Sequence, residues 1–487
     1  MSSTPSNASS TTQPSKTAAY SILVLIIATL AAGMPYQVDI KILLLLALTV
    51  TVLIAMLDGW RFTLIMDKMR SGIVRAFPAL CIFILIGALI GSWIQGGIIQ
   101  TLIFYGLQIL SPAFFLPAGL LVCSVVSLAT GTSWGTAGTM GVAFMAMGQV
   151  LGIPAPITAG MVVSGAFFGD KLSPLSDTTN LAAAATGADL FAHIRSMLLT
   201  TVPSYLLSLV AFYAVGRHYH LAQSASSTQV SELLQALQQH FVISPWLLLP
   251  IVAVLLMSVL RVPALIALMG GALLGVLCSV VGQGDSVASA LNAMNSGYVS
   301  HSGVATLDTL LNRGGIINMM GTFALSFMAL CLGALLDELG YLRVAMQGLL
   351  QQVKRLGSLV ALVIGACFVT NGLMGEVYLS IIVNGNLFRQ EFAQRGLQPA
   401  MLSRTLEEGA TLTGPLIPWT TAGAFMGGVL GVSAFDYAPY TFLNLINPLL
   451  AIVFAFGGLA VLRAPAKLTP SEPTKSKPTA TAPHSAE

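Results

Sequence analysis

The sequence has few charged residues for its length of 487: Asp, Glu, Lys and Arg together make up 8%. An average soluble domain has about 25%. Hydrophobic residues make up 55%. The chain therefore has too few charged side chains to cover the surface of a water-soluble protein of this size. The net charge of +3 is also too small for the basic surface of a nucleic-acid-binding protein. Composition therefore excludes most soluble enzymes and nucleic-acid binders.

Motifs for disulfides, resident metals and intramembrane proteolysis are lacking as well. The five cysteines form no CxxC pair, and the six histidines form no HExxH motif, so the cysteines are expected to be small core residues. Phe167-Phe168-Gly169 precedes Asp170, and a GxGD protease motif therefore fails at its first glycine. We expect no enzyme and no cofactor.

Long apolar runs recur from Ala18 to Leu462. They predict an all-α polytopic membrane protein with about eleven to fourteen membrane segments, the lower number applying if several short ones are re-entrant. Residues 1–17 and 464–487 are polar and low in complexity, and are expected to be disordered tails. A polar linker at 217–240 separates a first membrane repeat, 18–216, from a second, 241–463.

The two repeats share short strings in the same order. Arg70-Ser71-Gly72-Ile73 matches Arg313-Gly314-Gly315-Ile316 at an offset of 243, and Thr130–Gly135 aligns with Thr370–Gly375 at an offset of 240. The order predicts a duplication. Threading an odd number of passes through each half concentrates the basic residues on one side, so we expect inverted repeats with both termini in the cytoplasm.

Two apolar regions are broken by glycine and proline. The first runs over 129–141 and returns at 165–180, and the second runs over 370–376 and returns at 407–421. Freed carbonyls, hydroxyls and carboxylates are oxygen ligands that suit a hard cation such as sodium. Tight helix packing with a proline kink is the alternative, but two symmetric clusters that contain acids favour an ion site.

Asp170 follows a long apolar run, where a carboxylate pays a large desolvation cost and could hold either a proton or a cation. An ion pair with Lys171 is disfavoured, because neighbours on a helix do not face each other. Lys171 is expected to pair with an acid such as Glu376 or to contact an anionic substrate. Glu376 aligns with Thr136, so it has no acidic counterpart, and a coupling or pairing role is expected.

Asp177 precedes an Ala-rich helical stretch, where it is expected to be an N-cap, a role that does not exclude its being a cation ligand. Glu407 and Glu408 lie close to Arg404 in sequence, so at least one is expected in a surface ion pair. Trp134 is expected to pack rather than to act as a gate. The candidate ion- or substrate-binding residues are Thr132, Ser133, Asp170, Lys171, Ser173, Asp177, Thr178, Thr179, Asn180, Glu376, Glu408 and Thr420. The candidate sodium ligands among them are Asp170, Asp177 and Thr178.

The sequence resembles the NhaC family of sodium/proton antiporters within the larger ion-transporter superfamily. The resemblance rests on the strings GTSWGT (131–136) and GAFFGDKLSPLSDTTNLA (165–182), and EEGATLTGPLIPWTTAG after Arg404 supports it. The resemblance covers most of the chain between the tails. It implies exchange of Na+ for H+ by alternating access across a bacterial cytoplasmic (inner) membrane, with these ions as cargo.

The resemblance does not fix the substrate. Some relatives exchange malate for lactate with proton and sodium coupling, so exchange of small organic anions or amino acids is the alternative. Carried over residue by residue, the motif points to Asp170, Lys171, Ser173, Asp177, Thr178, Thr179 and Asn180. Membrane lipid is the expected surrounding, and the oligomeric state is left open.

Overall fold

The computed structural model describes residues 14–36, 38–109, 114–222, 227–300, 302, 307–308, 311–346 and 355–464. The described residues form helices joined by turns, with one isolated β-bridge between Leu397 and Arg463. The predicted all-α class is therefore confirmed. The predicted tails lie almost wholly outside the described residues, although the first helix already begins at Lys16.

The first half contains an interrupted segment in which α6, a π-helical turn (Ala137–Gly141) and α7 follow one another. The linker predicted at 217–240 is largely helical in the described residues, because α10 continues beyond 217 and α11 follows. The helices are α1 (Lys16–Gly33), α2 (Ile40–Leu57), α3 (Phe62–Gln95), α4 (Ile98–Ile109), α5 (Phe115–Thr130), α6 (Ser133–Thr136), α7 (Val142–Val150), α8 (Ala155–Leu172), α9 (Asp177–Thr186), α10 (Leu190–Ala222) and α11 (Ser227–His240).

The second half also contains a π-helical turn, Glu407–Thr411, which follows α19 directly. The helices are α12 (Leu249–Val259), α13 (Ala264–Cys278), α14 (Val287–Ser296), α15 (Ile316–Glu338), α16 (Tyr341–Met346), α17 (Leu356–Met374), α18 (Val377–Gln394), α19 (Pro399–Leu406), α20 (Thr421–Leu430), α21 (Ala434–Tyr437) and α22 (Phe442–Phe456).

Seven helices of the described chain are long and apolar enough to cross a membrane, or nine if two bent helix pairs each count as one span. The seven are α1, α2, α3, α10, α13, α15 and α17, so the protein is a multi-pass membrane protein. The larger number of segments predicted from the sequence includes shorter apolar helices such as α5 and α20, which fall below the ~20 residues that span a bilayer. The apolar helix α4 is a third shorter helix of this kind.

Glycines with left-handed backbone occupy equivalent places in the two halves. The pairs are Gly131 (φ 69°) and Gly375 (66°), Gly152 (66°) and Gly396 (65°), and Gly187 (74°) and Gly431 (69°), and each pair is 244 positions apart. A side chain is strained in this conformation. Both halves therefore break their helices at matching points.

Contacts between the halves are reciprocal. Helix α9 of the first half packs on α18 of the second, and α20 of the second half packs on α6 and α7 of the first. In the same way α3 packs along its counterpart α15, and α10 packs along α22. This exchange of equivalent elements supports the predicted duplication. The opposite orientation of the two halves in the membrane stays a prediction.

The offset of 244 corrects the sequence alignment at the second break. The matching strings had placed Glu376 opposite Thr136. The left-handed Gly131 and Gly375 place Glu376 opposite Thr132 instead, and each of these two residues is the N-cap of the helix that follows, α18 or α6. In both halves the cap side chain accepts a backbone N–H, so the acid replaces a hydroxyl at an equivalent position.

A stability prediction follows from the close packing of α15 on α17. A Cβ atom at Gly333 would lie 2.1 Å from the carbonyl oxygen of Met374, whereas one at Gly365 of α17 would meet nothing within 4 Å. Gly333→Ala should lower the free energy of unfolding by about 1–3 kcal/mol. Gly365→Ala should leave it unchanged or raise it, because alanine favours helix. Thermal unfolding in detergent measures both, and equal melting temperatures would contradict the packing argument.

Candidate functional site

Asp170 lies near the C-terminal end of α8 and faces the start of α6. Its Oδ2 atom accepts two hydrogen bonds from Ser133, one from the backbone N–H at 3.1 Å and one from the hydroxyl at 2.6 Å. The carboxyl group is buried. The structure therefore brings together two of the predicted site residues at the break between α5 and α6.

Some predicted ligands hold the turn that follows Asp170. The hydroxyl of Thr179 donates to the carbonyl oxygens of Lys171 at 2.9 Å and of Asp170 at 3.3 Å. The Ser173 Oγ atom accepts the backbone N–H of Leu175 at 3.3 Å. These hydroxyls fix the chain between α8 and α9, whatever else they contact.

The N-cap of α9 is Ser176, and Asp177 is the first residue of the helix, so the expectation that Asp177 is the cap is wrong by one position. Asn180 donates to the carbonyl oxygens of Ser176 at 2.7 Å and of Pro174 at 2.9 Å. The hydroxyl of Thr178 lies 3.1 Å from that of Ser176. Asp177 and Asn180 are exposed.

In the second half, Glu376 links two helix starts. Its Oε2 atom accepts the hydroxyl of Thr421 at 2.8 Å, and its Oε1 atom accepts the backbone N–H of Tyr378 at 3.4 Å. Thr420 is the N-cap of α20 and accepts the backbone N–H of Gly423 at 2.9 Å. Glu376 is thus buried at the second break, while Thr420 has a capping role.

Lys171 is fully buried. Its ammonium group donates to the amide oxygen of Asn447 at 2.7 Å, and its charged neighbours include Glu407 and Glu408. The predicted pairing of Lys171 with Glu376 is therefore replaced by a neutral amide and two other acids.

Glu408 is buried and held by two partners. Its Oε1 atom accepts the hydroxyl of Thr200 and lies 3.6 Å from the guanidinium Nε atom of Arg404, which is also buried. The expectation of a surface ion pair is wrong, because the π-helical turn places these charges inside the bundle. Glu407, which the sequence did not single out as a site residue, is buried too, and neither of its carboxylate oxygens accepts a hydrogen bond from the described residues.

Other residues that the sequence analysis missed border the same region. Tyr378 is one of them, and it lies within electrostatic range of four acids: Asp170, Asp177, Glu376 and Glu407. His193 is buried near Lys171 and Arg404, and its Nδ1 atom lies 2.7 Å from the hydroxyl of Ser403.

A sequence signal existed for one of these groups. Arg404, Glu407 and Glu408 lie at i, i+3 and i+4 in an otherwise apolar stretch, which in a membrane protein predicts charges that face the interior. Asn447 and Tyr378 are single polar residues in apolar helices, and only the fold brings them to Lys171 and the acids.

The predicted sodium ligands Asp170, Asp177 and Thr178 lie around the turn between α8 and α9. Asp170 is buried, whereas Asp177 is exposed. Among the described residues, no group of three or more His, Cys, Asp or Glu side chains could hold a metal ion. This ligand set stays a prediction.

Aromatic rings pack against one of the two breaks. Trp134 of α6 stacks on Phe425 of α20 with ring centroids 4.2 Å apart and planes 12° apart, and Phe83 of α3 lies 5.6 Å and 5.8 Å from them. Phe83 and Phe425 are fully buried. Trp134 therefore packs as expected, and its partners come from both halves.

The equivalent break lacks this aromatic packing among the described residues. Tyr378 is 244 positions after Trp134, and 39% of its surface is exposed. Phe327 is 244 positions after Phe83, yet it is 40% exposed and stacks on Phe323 instead. Asn180 is exposed, while its counterpart Ala424 is buried. The two halves thus share a design but differ in side-chain packing at the break.

Comparison with known proteins places this arrangement in a family. Residues 165–459 match the family model of the Na+/H+ antiporters. A malate-2H(+)/Na(+)-lactate antiporter of Bacillus subtilis is 37% identical over 443 residues, which cover 90% of this chain and 94% of the relative. The Na(+)/H(+) antiporter NhaC of Alkalihalophilus pseudofirmus is 38% identical over 83% of this chain and 86% of the relative.

A third relative, the arginine/ornithine antiporter of Halobacterium salinarum, is 34% identical over 85% of this chain and 86% of its own length. The three relatives thus differ in the cargo that their names state. The family match includes the 165–182 motif and most of the second half, and similarity extends over most of the chain. The chain therefore belongs to the Na+/H+ antiporter family.

Proposed function

We propose that the protein exchanges Na+ for H+ across a bacterial cytoplasmic membrane by alternating access. The observation that carries the proposal is Asp170, a buried carboxylate at a helix break, with hydrogen bonds from Ser133 but no ion pair among the described residues. A charge in such a place is costly unless a proton or a cation neutralises it. Because the two neutralise the same group, binding of one excludes the other.

The unequal packing of the two breaks supports this proposal. Trp134 stacks on Phe425 at one break, whereas Tyr378 at the equivalent position is 39% exposed. A transporter that exchanged these two packing arrangements between its halves would present Asp170 to each side in turn.

Replacement of Asp170 tests the central group. Asp170→Asn should reduce Na+-driven proton movement to the level of empty vesicles, because the amide can neither bind a proton nor neutralise a cation. Reconstituted vesicles with an internal pH dye measure the flux. Asp436→Asn, on an exposed residue of α21, is the matched control and should retain wild-type flux. Retained exchange in Asp170→Asn would remove this residue from the site.

Cysteine labelling tests alternating access. In a variant without the native cysteines, Asn180→Cys should react with a charged, membrane-impermeant thiol reagent at least about tenfold faster than Ala424→Cys. The reason is that Asn180 is exposed and the equivalent Ala424 is buried. Reversal of the sodium gradient should slow the first reaction and speed the second. Unchanged rates under both gradients would argue against alternation.

Exchange of a small organic anion is the second candidate. It is favoured by Lys171, whose buried ammonium group donates to the neutral amide of Asn447 and could instead hold a substrate carboxylate. The name of the Bacillus subtilis relative states such an exchange.

The same vesicles separate the two candidates. Sodium is added alone, and then with malate and lactate or with arginine and ornithine. Proton movement with sodium alone supports the Na+/H+ exchanger, and proton movement that requires the organic solute supports the second candidate.

A further inference from the structure

The half-helices α9 and α20 each end at an arginine guanidinium group. Helix α9 is followed by the left-handed Gly187, and α20 by the left-handed Gly431. A Cβ atom on Gly187 would lie 2.7 Å from the Nη2 atom of Arg389, and one on Gly431 would lie 3.5 Å from the Nη1 atom of Arg313. The same Nη1 atom lies 3.5 Å from the carbonyl oxygen of Leu430, the last residue of α20. Each guanidinium group therefore lies against the last turn of a half-helix.

Duplication does not explain these two arginines. With the offset of 244, the first-half positions equivalent to Arg313 and Arg389 are occupied by Met69 and Met145. Arg389 lies on α18, whereas Arg313 precedes α15. Two unrelated positions of the second half thus supply the same group to equivalent helix ends.

A cation at the C-terminal end of a helix has a defined physical effect. The last carbonyl groups have no partner within the helix and carry partial negative charge, which a cation stabilises. Within the part of the chain that the structure describes, neither Arg313 nor Arg389 has an acidic oxygen within 4.0 Å of its guanidinium group. Arg313 is half-buried and Arg389 is exposed, so we expect the larger effect at Arg313.

The two arginines also fasten the half-helices across the boundary between the halves. Next to Arg313, a Cβ atom on Gly314 would lie 2.5 Å from the backbone nitrogen of Gly91 on α3. Gly315 donates its backbone N–H to the carbonyl oxygen of Gly87, also on α3, at 2.7 Å. Arg313 therefore joins α20 to a long helix of the first half, and α18 joins α9 to the second half.

The opposite ends of the half-helices lie in the site. In the first turn of α9, Thr179 donates to the carbonyl oxygens of Asp170 and Lys171. At the start of α20, Thr421 donates to the Oε2 atom of Glu376. Each half-helix has ten residues, or about 15 Å at 1.5 Å per residue. The arginines are thus too distant to contact a cation at Asp170, but each holds one end of a helix whose other end contacts the site.

We propose that Arg313 and Arg389 are positioning residues that hold α20 and α9 in the orientation required for cation binding at Asp170. Each guanidinium group fixes the C-terminal end of its half-helix, and the helix transmits this constraint to the hydroxyl groups at its start. The assignment rests on the proposed exchange of Na+ for H+, and it identifies residues outside the site that set the affinity for the cation.

The KM for sodium tests the proposal, with methionine as the replacement because it stands at both equivalent positions of the first half. A cation at a helix C-terminus changes an equilibrium constant by about two- to thirtyfold. In reconstituted vesicles, Arg313→Met should raise the KM at least about threefold and Arg389→Met about twofold. Maximal rates of proton movement should stay close to wild type. Arg70→Met, on a side chain that is 79% exposed, is the matched control and should retain both values.

Lysine at the same position tests the cation itself. Arg313→Lys keeps a positive charge near the Leu430 carbonyl group, so its KM should lie closer to wild type than that of Arg313→Met. Equal KM values in the two variants would overturn the proposal. A KM that falls in Arg313→Met would overturn it too, because the arginine would then act by repelling the cation. An unchanged KM, at any maximal rate, would leave the arginine with a structural role alone.

Hydrogen exchange gives a readout that does not depend on transport. Backbone amides should exchange at least about twofold faster throughout α20 in Arg313→Met and throughout α9 in Arg389→Met, including the first turns beside the site. Faster exchange confined to the last turn would contradict transmission along the helix. If Arg313→Met does not fold, Arg389→Met, at an exposed position, decides by the same criteria. A wild-type protein that moves no protons with sodium would refute the proposed function, and hydrogen exchange would still decide whether the arginines hold the half-helices.

Discussion

The hydrocarbon of a membrane holds no water to bind polar groups, so the broken helices and charges of this bundle need partners away from the lipid. The site shows both requirements met together. The break after Gly131 exposes the backbone N–H of Ser133, and Asp170 accepts it. The break after Gly375 places Glu376 as an N-cap that also binds Thr421. The breaks and the acids stabilise each other, and the remaining features of the site are arranged around them.

Duplication explains the frame of the site but not its chemistry. The left-handed glycines recur 244 positions apart, and the half-helices α9 and α20 each pack on the broken segment of the other half. The side chains at equivalent positions differ: Glu376 stands where the first half has Thr132, and Gly414 stands where it has Asp170. A pair of similar halves thus holds an asymmetric set of acids.

The same asymmetry appears in packing. Trp134 and Phe425 stack beside Phe83 at one break, while Tyr378 at the other is 39% exposed and lies within electrostatic range of Asp170 and Asp177. Two equivalent but unequally packed halves are what an exchanger needs if one side is to be closed while the other is open. Glu407 is buried in the π-helical turn of the second half, which packs on α9 of the first half.

The sequence by itself determined the membrane-embedded helical class and the family, and it predicted the duplication and the two broken regions, because low charge, recurrent apolar runs and the GDKLSPLSDTT string are local properties. It also identified Asp170 as an acid in an apolar environment. Only the tertiary structure decided the partners. It joined Lys171 to Asn447, which is 276 positions away, turned Glu407 and Glu408 inward, and assigned Ser173 and Asn180 to holding a turn. Partners so distant in the chain depend on helix packing, which no local pattern encodes.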